Sequence, residues 1–197
     1  MTDHSVDGRP PATRAPRGPK PVTAARLEHK ALHYLEKFAS SAANLRRVLM
    51  RAVDRSARAH GTDREQGLRW VEDLIARYQR SGLLNDAAYA EARTASLRRQ
   101  GRSARAIQAR LVAKGVAASE VAKALAGEDE DAGRAELAAA VAFARRRRLG
   151  AFRPEAERAL RRDRDLAALA RAGFAIAVAR RVIEADQPLL LLEEDAG

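Results

Sequence analysis

The sequence predicts an all-α protein of tandem three-helix repeats, three units and about nine helices, in an elongated, curved array. Three observations lead there. Alanine, arginine and leucine dominate while aromatic residues make up only 4% of the chain, a composition that favours helix over strand. Two stretches, LVAKGVAASEVAKAL from Leu111 and LARAGFAIAVARRVI from Leu169, share one pattern. Laying Gly115 on Gly173 pairs Leu111 with Leu169, Val116 with Phe174 and Leu125 with Ile183. Finally, one common shift lays Leu35, Ser41, Leu45 and Leu49 on Leu97, Ser103, Ile107 and Leu111. A lone three-helix unit buries little apolar surface, whereas stacked units share a core. The competing reading is a single irregular helical bundle.

Each element follows from local signals. Residues 1–22 carry Pro10, Pro11, Pro16, Pro19 and Pro21 without apolar periodicity and predict a disordered, basic tail. The first unit is placed at 23–82. Thr23 is positioned to N-cap a helix bearing Leu27, Ala31, Leu35 and Phe38 on one face. Ser41 is positioned to cap a second helix, with Leu45, Val48, Leu49, Ala52 and Val53 as its stripe. Ala59 to Asp63 reads as a turn. A third helix, about 64–80, carries Leu68, Val71, Leu74, Ile75 and Tyr78 and stops at Gly82.

The second unit is placed at 83–127. Asn85 or Asp86 caps a helix carrying Tyr89, Arg93 and Leu97, which Gly101 ends. Ser103 caps the next, with Ile107 and Leu111 inside and Gly115 at its end. Ser119 is expected to cap a short helix with Val121 and Leu125. The third unit is placed at 128–186. After GEDED, a long helix holds Leu137, Val141 and Ala144 and ends in ARRRR. Pro154 suits a helix start, and the segment beyond carries Leu160, Leu166 and Leu169. A last helix, about 175–185, follows Gly173, and residues 187–197 form an acidic tail.

The formal net charge is +11, from 37 Lys and Arg against 26 Asp and Glu. This excess points to a polyanionic partner: nucleic acid, an acidic membrane surface or an acidic protein face. With no cysteine there is no disulfide framework, thiolate zinc site or cysteine nucleophile. No apolar run resembles a signal peptide or spans a bilayer, and LLLL at Leu189 to Leu192 is only a short patch. A soluble, cytoplasmic, monomeric protein is expected.

Few residues suit catalysis. His29 and His33 share a helix face as zinc ligands can, but HKALH lacks the metalloprotease glutamate and no third ligand is evident. The carboxylates of GEDED lack the spacing and central glycine of a calcium loop, and they suit a helix start. No phosphate-cradling glycine loop or nucleophile elbow occurs. No catalytic residue, cofactor site or metal site is expected, and the chain reads as a non-enzyme. Trp70, Tyr78, Tyr89, Tyr34 and Phe38 fall at or beside apolar helical positions and read as core rather than as base-stacking platforms.

The candidate partner-binding or DNA-binding residues are basic. Arg98, Arg99, Arg102 and Arg105 surround Gly101, and Arg110 and Lys114 lie four apart on the following helix. Arg145, Arg146, Arg147 and Arg148 form the densest cluster. Arginine forks pair with phosphate and carboxylate. The competing reading is a solvated face, and four consecutive helical residues point in different directions.

The segments ALHYLEKFASSAANLRRVLMRAV, LIARYQRSGLLNDAAYAEARTASLRRQGRSARAIQARLVAKGV and LARAGFAIAVARRVI, in this order and spacing, resemble the RecX family of bacterial RecA regulators. The resemblance covers most of residues 24–185. It implies tandem three-helix repeats and a non-enzymatic negative modulator. Such a protein binds RecA and its DNA filament and suppresses ATPase, strand-exchange and co-protease activities in DNA repair and the SOS response. It also implies weak non-specific binding to single- and double-stranded DNA. Two positions depart from the family pattern: Asn44 stands where glutamate is usual, and Val53 stands where the other units have glycine. The alternative is a helix-turn-helix-like DNA-binding regulator, with RAIQARLVAKGVAASEVAKAL as helix, turn and helix, acting mainly through phosphates.

Overall fold

The structure, a computed structural model, describes residues 20–127 and 132–194. The predicted tail up to residue 19, the GEDED carboxylates Glu128 to Asp131, and residues 195–197 lie outside them. The described residues form α-helices, one 3₁₀ turn and no strand. In order these are α1 (Ala24–Leu35), α2 (Ala42–His60), α3 (Arg64–Arg80), α4 (Asp86–Arg99), α5 (Ala104–Ala113), α6 (Ala118–Ala126) and α7 (Ala132–Arg147). The 3₁₀ turn Gly150–Phe152 follows, then α8 (Glu155–Arg171), α9 (Ile176–Glu184) and the single-turn α10 (Leu191–Glu194).

The buried side chains gather in three clusters. Leu27, Leu45, Leu49, Val53, Val71 and Leu74 join α1, α2 and α3. Leu97, Ile107, Leu111, Val116 and Val121 join α4, α5 and α6. Leu137, Val141, Phe143, Leu169, Phe174 and Val182 join α7, α8 and α9. Leu111 and Leu169, paired by the sequence alignment, are both fully buried, and Val116 and Phe174 both seal the turn that follows.

The N-caps explain where helices begin. Thr23, Ser41, Asn85 and Ser103 each accept a hydrogen bond from an amide of the first turn. Two of them also join units. Ser41 Oγ donates to the Lys114 carbonyl at 2.7 Å, and Ser103 Oγ donates to the Ala172 carbonyl at 2.7 Å. An acid from the next unit completes each joint. Asp86 accepts from the Ala42 amide at 2.8 Å, and Glu136 accepts from the Ala104 amide at 2.9 Å. The start of α2 thus meets the end of α5, and the start of α5 meets the end of α8, so opposite dipole ends face one another.

Glycine makes the close approach possible. Gly173 has φ +93, and a Cβ there would stand 2.6 Å from Ser103 Oγ. Gly101 has φ +69, and a Cβ there would stand 2.8 Å from the Phe143 backbone nitrogen. In both places a side chain would strain the backbone and push two units apart.

The departures noted at Asn44 and Val53 have structural consequences. Asn44 donates to the Tyr34 hydroxyl at 3.0 Å and to Ser40 at 2.9 Å, tying α1 to α2. Val53 is fully buried inside an α2 that runs on to His60. Gly67 of α3 lies directly against its methyl groups. Where the other units stop the second helix, this one lengthens it, and the glycine moves to the facing helix.

Several expectations are corrected. Ala59 and His60 are helical, because α2 ends only at Gly61 with φ 66. Phe38 lies beyond α1, is 55% exposed, and packs on Tyr34 with ring centroids 5.2 Å apart. Ser119 is not an N-cap: the turn after α5 closes through Gly115 and Val116, and α6 starts at once with Ala117 as its cap. The buried face of α4 is Ala90, Thr94 and Leu97, while Tyr89 and Arg93 flank a groove beside Phe38 and Leu83. Small residues win that face because α4 packs against both α6 and α7. Leu160 is 83% exposed, because the first turns of α8 stand clear of the core and only Asp165, Leu166 and Leu169 turn inward. Within the acidic tail, Leu191 and Leu192 pack on the third cluster, and Arg134 donates to the Leu192 carbonyl at 3.3 Å.

Two predictions follow from this packing. Ser103→Ala removes a cap and an inter-unit hydrogen bond together, so it should cost about 2 kcal/mol, against about 1 kcal/mol for the cap alone in Asn85→Ala. Urea unfolding of the two variants measures the difference, and equal losses would deny the joint any energetic role. Leu169→Ala should cost about 2–5 kcal/mol and Leu160→Ala under about 0.5 kcal/mol by the same measurement.

Candidate functional site

The basic residues picked from sequence separate into distinct places. Arg98 turns inward: its side chain is 10% exposed and pairs with Glu136 of α7. It belongs to the second joint rather than to an open surface. Arg99, Arg102, Arg105, Arg110 and Lys114 are exposed. Arg105, Arg110 and Lys114 follow α5 and its C-cap. Arg145, Arg146, Arg147 and Arg148 are all exposed, yet helical geometry splits them. Arg145 and Arg146 border a cleft lined by Leu189 and Leu192. Arg147 places its guanidinium 5.6 Å from the centre of the Phe143 ring, on the side of the Gly101 turn. Arg148 takes φ 55 and breaks the helix.

Arg102 and Arg147 of the predicted set share a second, larger cavity of about 590 Å³. Four arginines that the sequence reading passed over join them there: Arg153, Arg161, Arg164 and Arg171. Arg102 comes from the turn between α4 and α5, Arg147 from α7, Arg153 from just after the 3₁₀ turn, and the rest from α8. The cavity therefore bridges two units, beside the joint that Ala172 makes with Ser103. A signal for the α8 residues existed: Arg161, Arg164, Ala168 and Arg171 repeat at helical spacing and form one stripe. In the sequence the stripe is less conspicuous than the consecutive run ARRRR.

The carboxylate lining this cavity is Asp165, which is almost fully buried. It accepts from the Gly150 amide at 3.0 Å and from Arg153 through Nη2 at 3.0 Å and Nε at 3.3 Å. The hydrogen bond that Arg153 donates to Asp165 is the main cause that raises the Arg153 pKa above its ordinary value. Asp165 is thereby committed to Arg153 and the 3₁₀ turn. Among the described residues, Arg102, Arg164 and Arg171 make no ion pair, and the buried Nε of Arg161 has no acceptor.

The histidines stay apart from this region. His29 and His33 are exposed on α1, and His33 lies 3.7 Å from Glu36. Among the described residues, no group of three or more His, Cys, Asp or Glu side chains gathers as metal ligands would. No helix among them is long and apolar enough to cross a membrane.

A known protein matches this chain over most of its length. The sequence profile of the second three-helix domain of RecX matches residues 85–125, which contain α4, α5 and nearly all of α6. A Regulatory protein RecX from Myxococcus xanthus (strain DK1622) is 47% identical over 174 residues, covering 88% of this chain and 92% of that protein. A second, from Agrobacterium fabrum (strain C58 / ATCC 33970), is 38% identical over 100 residues, 51% of each chain. No solved structure is significantly similar. The all-helical, repeated fold and the extent of identity to the Myxococcus protein agree, and the chain belongs to the RecX family.

Proposed function

We infer that the chain is a non-enzymatic negative regulator of the RecA recombinase. It binds RecA and its DNA filament and suppresses ATP hydrolysis, strand exchange and co-protease activity in DNA repair and the SOS response. The observation that carries this reading is the 47% identity over 88% of the chain to a Regulatory protein RecX. Physical support comes from the surface. A nucleoprotein filament presents phosphates and carboxylates, and the exposed Arg99, Arg105, Arg110, Lys114, Arg145 and Arg146 offer charged donors to both. We divide the chain into units at 23–82, 83–127 and 128–186, flanked by tails 1–22 and 187–197. It acts as a monomer in the cytoplasm, with weak, non-specific contact to single- and double-stranded DNA.

A direct DNA-binding regulator is the second reading, because α5 and α6 form a helix, glycine turn and helix. α6 presents little for reading bases. Ser119 is exposed, and Lys123 is held by Glu120 at 3.0 Å. Its contacts would go to phosphates and weaken with a log–log salt slope of about −0.9 per phosphate neutralised.

Titration into RecA on single-stranded DNA at moderate salt, read as ATP turnover, separates the two. Strong inhibition is expected well below one copy per RecA. Reversing Arg145 to Arg148 to glutamate should weaken it by at least about tenfold, since each lost charged hydrogen bond is worth on the order of 1.5–3 kcal/mol. No inhibition at any ratio by a folded protein, together with salt-sensitive DNA binding, would overturn the RecA reading.

A further inference from the structure

The cavity shared by α7, α8 and the Gly101 turn has a composition that filament regulation does not require. Six arginines, three of them from α8 and one each from the α4–α5 turn, α7 and the segment after the 3₁₀ turn, line a space of about 590 Å³, and Asp165 is the carboxylate in its lining. That carboxylate is engaged by Arg153 and Gly150. Five guanidinium groups face the space without a carboxylate to neutralise them among the described residues. Like charges held this close repel, so the arrangement favours an anion with several charges. The Arg161 Nε adds a second, independent sign: a buried donor without an acceptor costs about 1–3 kcal/mol unless a ligand oxygen meets it.

We propose that this cavity is a binding site for a compact polyphosphate, such as the triphosphate of a nucleotide. Its volume falls within the range of about 300–1,000 Å³ usual for small-ligand pockets. A nucleic-acid strand fits less well. Strand sites follow a backbone along a groove and stack bases on exposed aromatic rings. Here the short α8 stripe is faced across the cavity by Arg102, Arg147 and Arg153 instead of continuing along a groove, and the lining aromatic, Phe143, is buried with Arg147 against it. Forked donors from α8, at Arg164 and Arg171, and from other elements, at Arg102 and Arg147, suit the several oxygens of a phosphate chain. Leu149 and Ala168 supply an apolar wall against which a base can rest.

Position gives the site a consequence. Arg102 belongs to the second unit and the α8 arginines to the third, and Ala172 both lines the cavity and accepts from Ser103. A bound polyphosphate bridges the two units across their joint. Occupancy therefore stiffens the joint and stabilises the fold in proportion to ligand concentration.

The test is calorimetric titration of the full chain with tripolyphosphate at about 0.15 M salt, where exposed charges are screened beyond about 8 Å. Arg164→Ala/Arg171→Ala removes two exposed side chains from the cavity. Arg105→Ala/Arg110→Ala removes the same charge elsewhere. Saturable binding of one tripolyphosphate is expected, weakened at least about tenfold in the first variant and less than about twofold in the second. A nucleoside triphosphate that binds tighter than tripolyphosphate would identify the nucleotide as the ligand, and equal binding would identify the phosphate chain alone. Three results would overturn the proposal: no saturable binding, equal losses in both variants, or cavity-dependent binding of a single-stranded oligonucleotide with none of tripolyphosphate. Circular dichroism of both variants ensures that lost binding is not lost folding.

Discussion

The Ser103 hydroxyl holds two units in one geometry. It accepts from the Ala106 amide at 3.2 Å and donates to the Ala172 carbonyl at 2.7 Å, so one oxygen starts α5 and receives the end of α8. Ser41 repeats this with Asn44 and Lys114 at the same two distances. Each bond alone is worth about 1 kcal/mol. The joint matters more than that, because it satisfies groups that helix ends otherwise leave open to water. In the first joint Arg47 also donates to the Ala113 carbonyl, a further C-terminal acceptor of α5. In the second, Glu136 takes both the Ala104 amide and Arg98. A three-helix unit with its own small core thereby gains a fixed neighbour, which is what a repeat array needs to be more than beads on a chain.

The third unit departs from this scheme between its first two helices, and the arginine cavity lies where it departs. Arg148 and Gly150, both at positive φ, turn the chain sharply, and the 3₁₀ turn carries it to Pro154. A buried carboxylate secures the turn. Asp165 accepts from the Gly150 amide and pairs with Arg153, and removing Arg153 would leave the buried carboxylate uncompensated. With the turn held this way, α8 sets its basic stripe facing Arg147 of α7 and Arg102 of the preceding unit. The site is therefore a product of stacking, since no unit supplies all of its walls.

The repeat was legible because its signals are local. Serine caps, glycine stops and leucines at helical spacing each act within a turn or two, so Ser41, Ser103, Gly115 and Gly173 stand out before any tertiary contact is known. The misreadings share a cause. Leu160 and Phe38 have the right residue type and roughly the right spacing, but the depth of each depends on where the neighbouring helix stops. The buried face of α4 is shared between α6 and α7, a helix from another unit, and its alanine and threonine give no apolar stripe strong enough to announce it. The candidate site was legible only in pieces. Arg102 and Arg147 were found, the α8 stripe was passed over, and their meeting depends on a turn whose course has no strong sequence signature.

Arg98 shows why a net charge of +11 is a poor map of function. By sequence it is one of four arginines around Gly101; in the fold it is nearly buried and fastens α4 to α7 through Glu136. Its neighbour Arg99 is exposed, and Arg102 faces the cavity. Three residues of one type within a single turn thus hold the array together, meet solvent, and face a ligand space. Arginine serves all three because its planar fork pairs as well with a partner carboxylate inside the protein as with an anion outside it. The discriminating property is the partner. A guanidinium already met by Glu136 or Asp165 is committed to the fold, while those of Arg102, Arg164 and Arg171 meet no carboxylate among the described residues.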